Sequence, residues 1–290
     1  MSGVLNVISS YKTTAAGGIT AYPTSNLALS VSYREMPGMG YTGIIFRIRR
    51  SSDNAELDFY QGATEGSWNT TRGGGGTDLI TWIGSNDAHV VRWYRQDGSA
   101  SYLEQMTAGN QPKLIVSGTL QTSGGYPAIL FDGSLTYFMV INGTPNVSNQ
   151  VPHMRFYVGN RTGSSKYGMV ISKSGSDLNG WMVARWNDNY IYQRTTDGQD
   201  KANSTSTTTS FERLSAFATS TSAGMDTNAG NVAITHTETS YTAVNFNHYG
   251  RWDAAGIIAD FKIVEDIIYS TYDSGDYTDI ADFMDSEFGL

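Results

Sequence analysis

The sequence predicts an all-β domain, a sandwich or barrel of short antiparallel strands. Three observations carry that prediction. Apolar residues alternate with polar ones in segment after segment, the period of two that marks a strand. The segments are β-branched and aromatic in their interiors and bounded by Gly, Asn, Asp or Ser, and the chain holds 32 glycines. Hydrophobic residues make up 39% and charged residues only 16%, enough apolar surface for a core, under a coat of hydroxyls and amides rather than ions.

Taken in order, the predicted strands are "GIIFRIRRS" (43–51), "AHVVRWYRQ" (88–96), "PKLIVSG" (112–118), "PAILFDG" (127–133) and "LTYFMVING" (135–143). They continue with "HMRFYVGN" (153–160), "KYGMVISKS" (166–174), "GWMVARWNDNYIYQR" (180–194), "NVAITHTE" (231–238) and "IIADFKIVEDIIYS" (257–270). Two short helices are predicted. One is "TDLITWIG" (77–84), capped by Thr77 or Asp78, and the other is "DYTDIADFMDSEFG" (276–289), with Ile280, Phe283, Met284 and Phe288 near a 3.6 period. The polar run "DGQDKANSTSTTTS" (197–210) reads as a mobile loop. With no Pro-rich linker and no fixed-period repeat, residues 31–290 read as one domain, preceded by an arm or first strands over 1–30.

Charge and composition remove several functions. The formal net charge is −8 and the sequence pI about 4.9, the wrong sign for a protein whose affinity comes from neutralising phosphates, so nucleic acid is not an expected partner. There is no cysteine, which excludes disulfides, thiolate metal sites and a cysteine nucleophile. The N-terminus lacks the basic start and long apolar run of a signal peptide, and no apolar stretch approaches the length of a membrane span. The expectation is a protein made in the host cytoplasm without a signal peptide or membrane insertion.

The run "RIRRSSDNAELDF" (47–59) is the one concentration of basic residues. On an extended strand Arg47 and Arg49 point to one face and Arg50 to the other. "SSDNA" has the turn chemistry of a hairpin, with Asp53 and Asn54 suited to closing on local amides, and Glu56 and Asp58 return on the second strand. Arg47, Arg49, Arg50, Asp53 and Asn54 therefore read as a structural hairpin with cross-strand Arg–carboxylate pairs.

Ordered blocks of sequence then resemble a known family. They are Arg47, Arg49, Arg50, Ser51, Ser52, Asp53 and Asn54; Trp93, Tyr94, Gln96, Asp97 and Gly98; Ala108, Asn110, Gln111, Pro112 and Lys113; and Pro127, Ala128, Phe131, Asp132 and Gly133. Together they are similar to the concanavalin A-like sandwich of the α-L-arabinofuranosidase B catalytic-domain family, and "IIADFKIVEDIIYS" before a short helix resembles the close of laminin-G-like members. The resemblance implies a two-sheet antiparallel jelly-roll sandwich with a short C-terminal helix. Arabinofuranosidases of this family carry a vicinal cysteine pair beside their catalytic carboxylates. This chain has neither a cysteine nor a segment matching theirs.

Hydrolysis of a glycoside needs two carboxyl groups facing across a sugar. Asp132, Asp177, Asp188, Glu212, Glu238, Asp253, Glu265 and Asp266 supply carboxyls, none in a recognisable catalytic context. Asp132 sits where turn closure is expected, and Glu265 and Asp266 read as an edge or solvent face of an apolar strand. His89, His153, His236 and His248 have no zinc spacing, so no metal site is expected. "RGGGGTD" (72–78) lacks the Lys-Ser/Thr ending of a phosphate loop and reads as a flexible loop. Asn187, Asp188 and Asn189 offer oxygens without a spaced loop, which leaves calcium as the one cofactor still open.

Eighteen tyrosines and six tryptophans favour recognition, since tyrosine contacts sugars or protein partners at low entropic cost. "GWMVARWNDNYIYQR" predicts a hairpin turning at Asp188-Asn189, with Arg185, Tyr190 and Tyr192 on one face as a platform for a carbohydrate or a partner subunit. Single-domain members of this sandwich group without an export signal, the resemblance suggests, are often bacteriophage virion proteins. The sequence-level expectation is a non-enzymatic virion surface component: a capsid spike, head fibre or tail-associated adhesin. It would be a homo-oligomer among other virion proteins and recognise a host surface glycan. The alternative is a secreted carbohydrate-binding module or a glycoside hydrolase of arabinofuranosidase type.

Overall fold

The computed structural model describes residues 19–133, 137–143, 152–162, 170–172, 180–186, 189–193, 199–205, 209–232, 246, 248–252, 257–258 and 260–290. Within them the chain starts with β1 (Leu27–Ser32), then β2 (Ile44–Arg50), β3 (Glu56–Gln61), β4 (Trp68–Thr71), β5 (Gly75–Asp78) and the short helix α1 (Leu79–Ile83). Next come β6 (Ala88–Tyr94), β7 (Tyr102–Glu104), β8 (Lys113–Val116), β9 (Thr119–Leu120), β10 (Thr122–Ser123), β11 (Tyr126–Pro127) and β12 (Ile129–Phe131). The second half holds β13 (Met139–Asn142), β14 (His153–Arg161), β15 (Val170–Ser172), β16 (Gly180–Trp186), β17 (Asn189–Gln193), β18 (Gln199–Thr205) and β19 (Glu212–Ala218). It closes with β20 (Ala223–Thr227), β21 (Gly230–Val232), β22 (His248–Tyr249), β23 (Arg251–Trp252), β24 (Ile257–Ile258), β25 (Phe261–Tyr269) and α2 (Ser274–Phe288).

These strands form a two-layer antiparallel sandwich. In the first layer β1 and β12 share one edge of β25, and β14, β19, β20 and β21 follow on the other side. The second layer runs β5–β4–β3–β2–β6–β7–β13–β22–β15–β16–β17–β18. β8 pairs with both β6 and β12 and so joins the layers at one corner. The space between them is filled by side chains such as Phe46, Ile48, Trp93, Leu103, Val31, Phe131 and Tyr249. Two tryptophans of the second layer also donate indole N–H groups to the first: Trp68 to the Tyr33 carbonyl at 2.7 Å and Trp93 to the Ser32 carbonyl at 2.9 Å. A buried indole N–H needs such an acceptor, and these two set the register of one layer on the other.

Helix α2 covers the outer face of the first layer. It begins two residues earlier than its period predicts, because Asp273 caps it by accepting from the amides of Gly275 (2.8 Å) and Asp276 (3.1 Å), and it ends at Gly289 in the left-handed conformation. Tyr277, Ile280, Phe283, Met284 and Phe288 face the sheet, each contributing about 1.5–3 kcal/mol of burial. Phe283 meets Tyr22 edge-on at 4.9 Å and Tyr277 lies 5.1 Å from Phe156. The first predicted helix is α1, capped by Asp78, which accepts from the Thr81 amide at 2.8 Å.

Two loop expectations are corrected. The glycine run is a hairpin: β5 pairs with β4, and Gly76 adopts φ +75° where a Cβ would lie 2.3 Å from the Thr70 hydroxyl. Only glycine fits that approach. Within 197–210, Gln199–Thr205 is strand β18, paired with β17. The strand lies in a run of polar residues, where the sequence offers no apolar alternation to mark it.

Candidate functional site

β2 and β3 pair as an antiparallel hairpin around the arginine run. Arg47 pairs with Asp58 through two bonds of 2.8 and 3.1 Å, the expected cross-strand pair. Asp53 engages both the Arg50 guanidinium and the Ala55 amide. Arg49 leaves its register partner Glu56 and turns to other acceptors: Gln111 Oε1 at 2.7 Å, Asn54 Oδ1 at 2.7 Å and the Ala108 carbonyl at 3.3 Å. Asn54 thus serves Arg49 from a left-handed turn position, φ +58°. Arg50 reaches the Trp82 carbonyl at 2.8 Å and lies over the Trp82 ring. Two of the four sequence blocks are therefore one packed unit, with Arg49 as the joint.

Glu265 and Asp266 are not on a solvent face. Both are fully buried on β25, a central strand flanked by β1, β12 and β14. Asp266 faces the interlayer space, where Arg155 grips it with bonds of 3.0 and 2.7 Å and the Tyr249 hydroxyl donates at 2.9 Å. Burial opposes the Arg155 charge, the Asp266 carboxylate outweighs it, and the guanidinium ends above its ordinary range. The ion pair ties β14 to β25 within the first layer, and the Tyr249 hydroxyl carries the contact across to β22 of the second.

Glu265 faces α2. Tyr22 and Ser32 donate hydroxyls to its two oxygens, and Arg34 Nε approaches at 3.5 Å. Burial lifts the Glu265 carboxyl above its ordinary range, although Arg34 and the hydroxyls pull it down. Arg34 is the centre of a larger cluster. One of its nitrogens donates to both Glu65 (3.1 Å) and Glu287 of α2 (2.9 Å), and the Tyr33 hydroxyl also donates to Glu65. Arg34 is 4% exposed while Glu65 is 36% exposed, so the cluster runs from beneath the helix to the surface. Tyr33, Tyr126 and Phe288 frame it: the Tyr126 ring lies 6.4 Å from Tyr33 and 5.0 Å from Phe288. The arrangement offers carboxylate acceptors beside aromatic rings, the chemistry that binds sugar hydroxyls and ring faces. Sequence reasoning missed it because its members lie at 22, 32–34, 65, 126, 265 and 287, with no local signal linking them.

The remaining candidates fall as follows. β16 and β17 pair as a hairpin with Arg185 opposite Tyr190 and Val183 opposite Tyr192; Asn189 lies in the strand, paired with Trp186, rather than in the turn. Glu212 is buried on β19 and Asp132 is half-buried after β12. Asp177, Asn187, Asp188, His236, Glu238 and Asp253 lie outside the described residues. Among the described residues no three His, Asp or Glu side chains gather as a metal site, and no helix is long and apolar enough to cross a membrane.

Neither a protein-family model nor a curated protein sequence matches the chain. Solved structures do. An arabinofuranosidase complexed with arabinofuranosyl-α-1,2-xylobiose is similar at TM-score 0.58 and 14% identity, over 89% of this chain and 62% of that one. A GH54 α-L-arabinofuranosidase soaked with a cyclic sulfate inhibitor is similar at TM-score 0.59 and 14% identity, over the same 89% and 62%. A Trypanosoma rangeli sialidase in complex with the inhibitor DANA follows at 0.44 and 6%, over 66% of this chain and 30% of that one. At such identities the likeness establishes the fold, a β-sandwich resembling that of the arabinofuranosidases, and this chain spans about three-fifths of the arabinofuranosidases' length. The expectation that the chain is not an enzyme is overturned by this finding: the sandwiches it resembles are those of glycoside hydrolases. A missing cysteine pair is no ground for excluding hydrolysis, since bond cleavage rests on carboxyl groups.

Proposed function

We propose that this chain is a carbohydrate-active sandwich of arabinofuranosidase type, which recognises an arabinofuranose-bearing glycan and acts on its glycosidic bond. The likeness to arabinofuranosidases over 89% of the chain supports this reading. The four sequence blocks support it independently, since they are similar to the same family. The Arg34 cluster adds surface-reaching carboxylates and aromatic rings suited to a sugar. Incubation with 4-nitrophenyl α-L-arabinofuranoside and with arabinoxylan tests it, read as released nitrophenol and arabinose. Turnover proportional to protein, lost on a single Asp or Glu substitution, is the expected result. No release and no retention of either compound would overturn the reading.

A second proposal concerns where the protein works. Its cysteine-free, weakly charged composition, rich in Gly, Ser, Thr and Asn, suits a durable β protein displayed on a bacteriophage virion, in a symmetric oligomer that meets host glycans. Arg185, Tyr190 and Tyr192 are the proposed contact of the hairpin with that glycan or with a neighbouring copy. Mass spectrometry of purified particles tests the location; absence from every particle fraction would remove it.

A further inference from the structure

The solvent face of the second layer carries an ordered polar and aromatic array. Register aligns Asp58 (β3) with Arg47 (β2), Arg47 with Arg92 (β6), and Arg92 with Glu104 (β7). Beside that row Tyr94 (β6) pairs with Tyr102 (β7), and Tyr102 with Asn142 (β13). All of these residues are half-buried, so each keeps an accessible edge. They are also fixed in place. Arg47 holds Asp58 at 2.8 and 3.1 Å, Arg92 lies 3.3 Å from Glu104, and Asn142 donates to Glu104 at 2.7 Å. The Arg92 guanidinium sits 4.4 Å from the Tyr102 ring centroid, and the Tyr94 and Tyr102 rings meet at 5.7 Å. The opposite faces of the same strands carry Phe46, Ile48, Trp93 and Leu103, all fully buried, so the array rests on a rigid floor.

We propose that this face, built around Arg47, Asp58, Arg92, Tyr94, Tyr102 and Glu104, is a binding platform for a neutral oligosaccharide. Two guanidinium groups and two carboxylates cancel in charge, so the array attracts neither an anion nor a cation and presents donors and acceptors side by side. A chain of uncharged hydroxyls matches that pattern, and tyrosine rings supply apolar surface for sugar faces. Adjacent strands lie about 4.8 Å apart, a spacing on the order of one sugar ring, so an extended glycan crosses the strands with its residues in step. A protein partner fits less well: interface centres are depleted in charge and built on apolar anchors, whereas the centre here is the Arg47–Arg92 row with its carboxylates. The platform lies apart from the Arg34 cluster and rests on the proposed function only for the choice of sugar.

The test is native gel electrophoresis of the full chain in gels containing arabinoxylan, with polygalacturonate as the acidic control. Wild type is expected to be retarded by arabinoxylan and not by polygalacturonate, with apparent affinity falling about tenfold in Tyr102→Ala and in Tyr94→Ala and retained in Tyr102→Phe. In parallel, an arabinoxylan oligosaccharide is expected to protect Tyr94 and Tyr102 of the wild-type chain from nitration, which needs no variant to fold. Unchanged retardation in folded Tyr102→Ala, unprotected tyrosines, stronger retardation by polygalacturonate, or occlusion of these tyrosines by self-association would each overturn the platform. Nitrophenyl arabinofuranoside turnover by wild type reads the proposed function separately. Protection without turnover leaves the platform standing and removes the catalytic reading.

Discussion

Glu265 and Asp266 are consecutive on β25, and their carboxylates serve opposite faces of it: Glu265 meets Arg34 beneath α2, and Asp266 meets Arg155 between the layers. Strand alternation requires this division. Two adjacent acids in an apolar strand thus fix the helix to one side of the sheet and the second layer to the other.

Breaking the Arg155–Asp266 pair strands a buried charge. Asp266→Asn and Arg155→Met are each expected to lower unfolding free energy by about 3–5 kcal/mol, and the double variant Arg155→Met/Asp266→Asn by less than the sum. Urea denaturation of the four proteins of the cycle measures it. Additive losses would show that the pair is not coupled.

His89 gives the fold an acid limit. Burial, with Arg49 and Lys113 beside it, depresses its imidazole from 6.5 to about 4. The unfolded chain therefore binds a proton that the folded chain refuses, so this contribution is fully present above pH 6.5 and is lost as pH falls toward 4. For a partly exposed ring it amounts to about 1–2 kcal/mol. His89→Gln is expected to narrow the difference in urea midpoint between pH 7 and pH 4.5; an unchanged difference would contradict the assignment.

Glu265 contributes with the opposite sign. Its folded carboxyl is lifted above the ordinary 4.5, so the folded state holds its proton more tightly than the unfolded one. Stability from this group is greatest at low pH and declines as pH rises from 4.5 through the folded value. Glu265→Gln is expected to remove that decline, seen as a flatter midpoint-against-pH curve above pH 4.5. A steeper curve would mean that Arg34 dominates burial.

Gln111 joins two sequence blocks by accepting from Arg49 and donating to the Gln105 carbonyl at 2.8 Å. Gln111→Leu leaves a guanidinium nitrogen and a carbonyl short of partners and is expected to cost about 2–4 kcal/mol. Asn54→Ala, removing one acceptor at an exposed turn, is expected to cost about 1 kcal/mol. Equal losses measured by thermal unfolding would contradict the hierarchy.

What the sequence showed was local. The 47–58 hairpin, the cap of α1 and the apolar face of α2 each depend on residues a few positions apart, and each was legible. Strand β5 hid in a glycine run and β18 in a polar one, because backbone pairing carries them and side-chain pattern does not. The burial of Glu265 and Asp266 was invisible, since Arg34 lies 231 positions from one and Arg155 lies 111 from the other. The outer platform was missed for the same reason. Its residues alternate with core residues on β2, β3, β6 and β7, and only the register aligns them.

Whether this sandwich recognises arabinofuranose is read by calorimetric titration of the full chain with an arabinofuranose-bearing xylo-oligosaccharide. A saturable heat with a dissociation constant on the order of 1 mM or tighter is expected, absent with a sugar acid polymer of equal length. A flat titration with the arabinofuranose-bearing sugar, from folded protein, would contradict it.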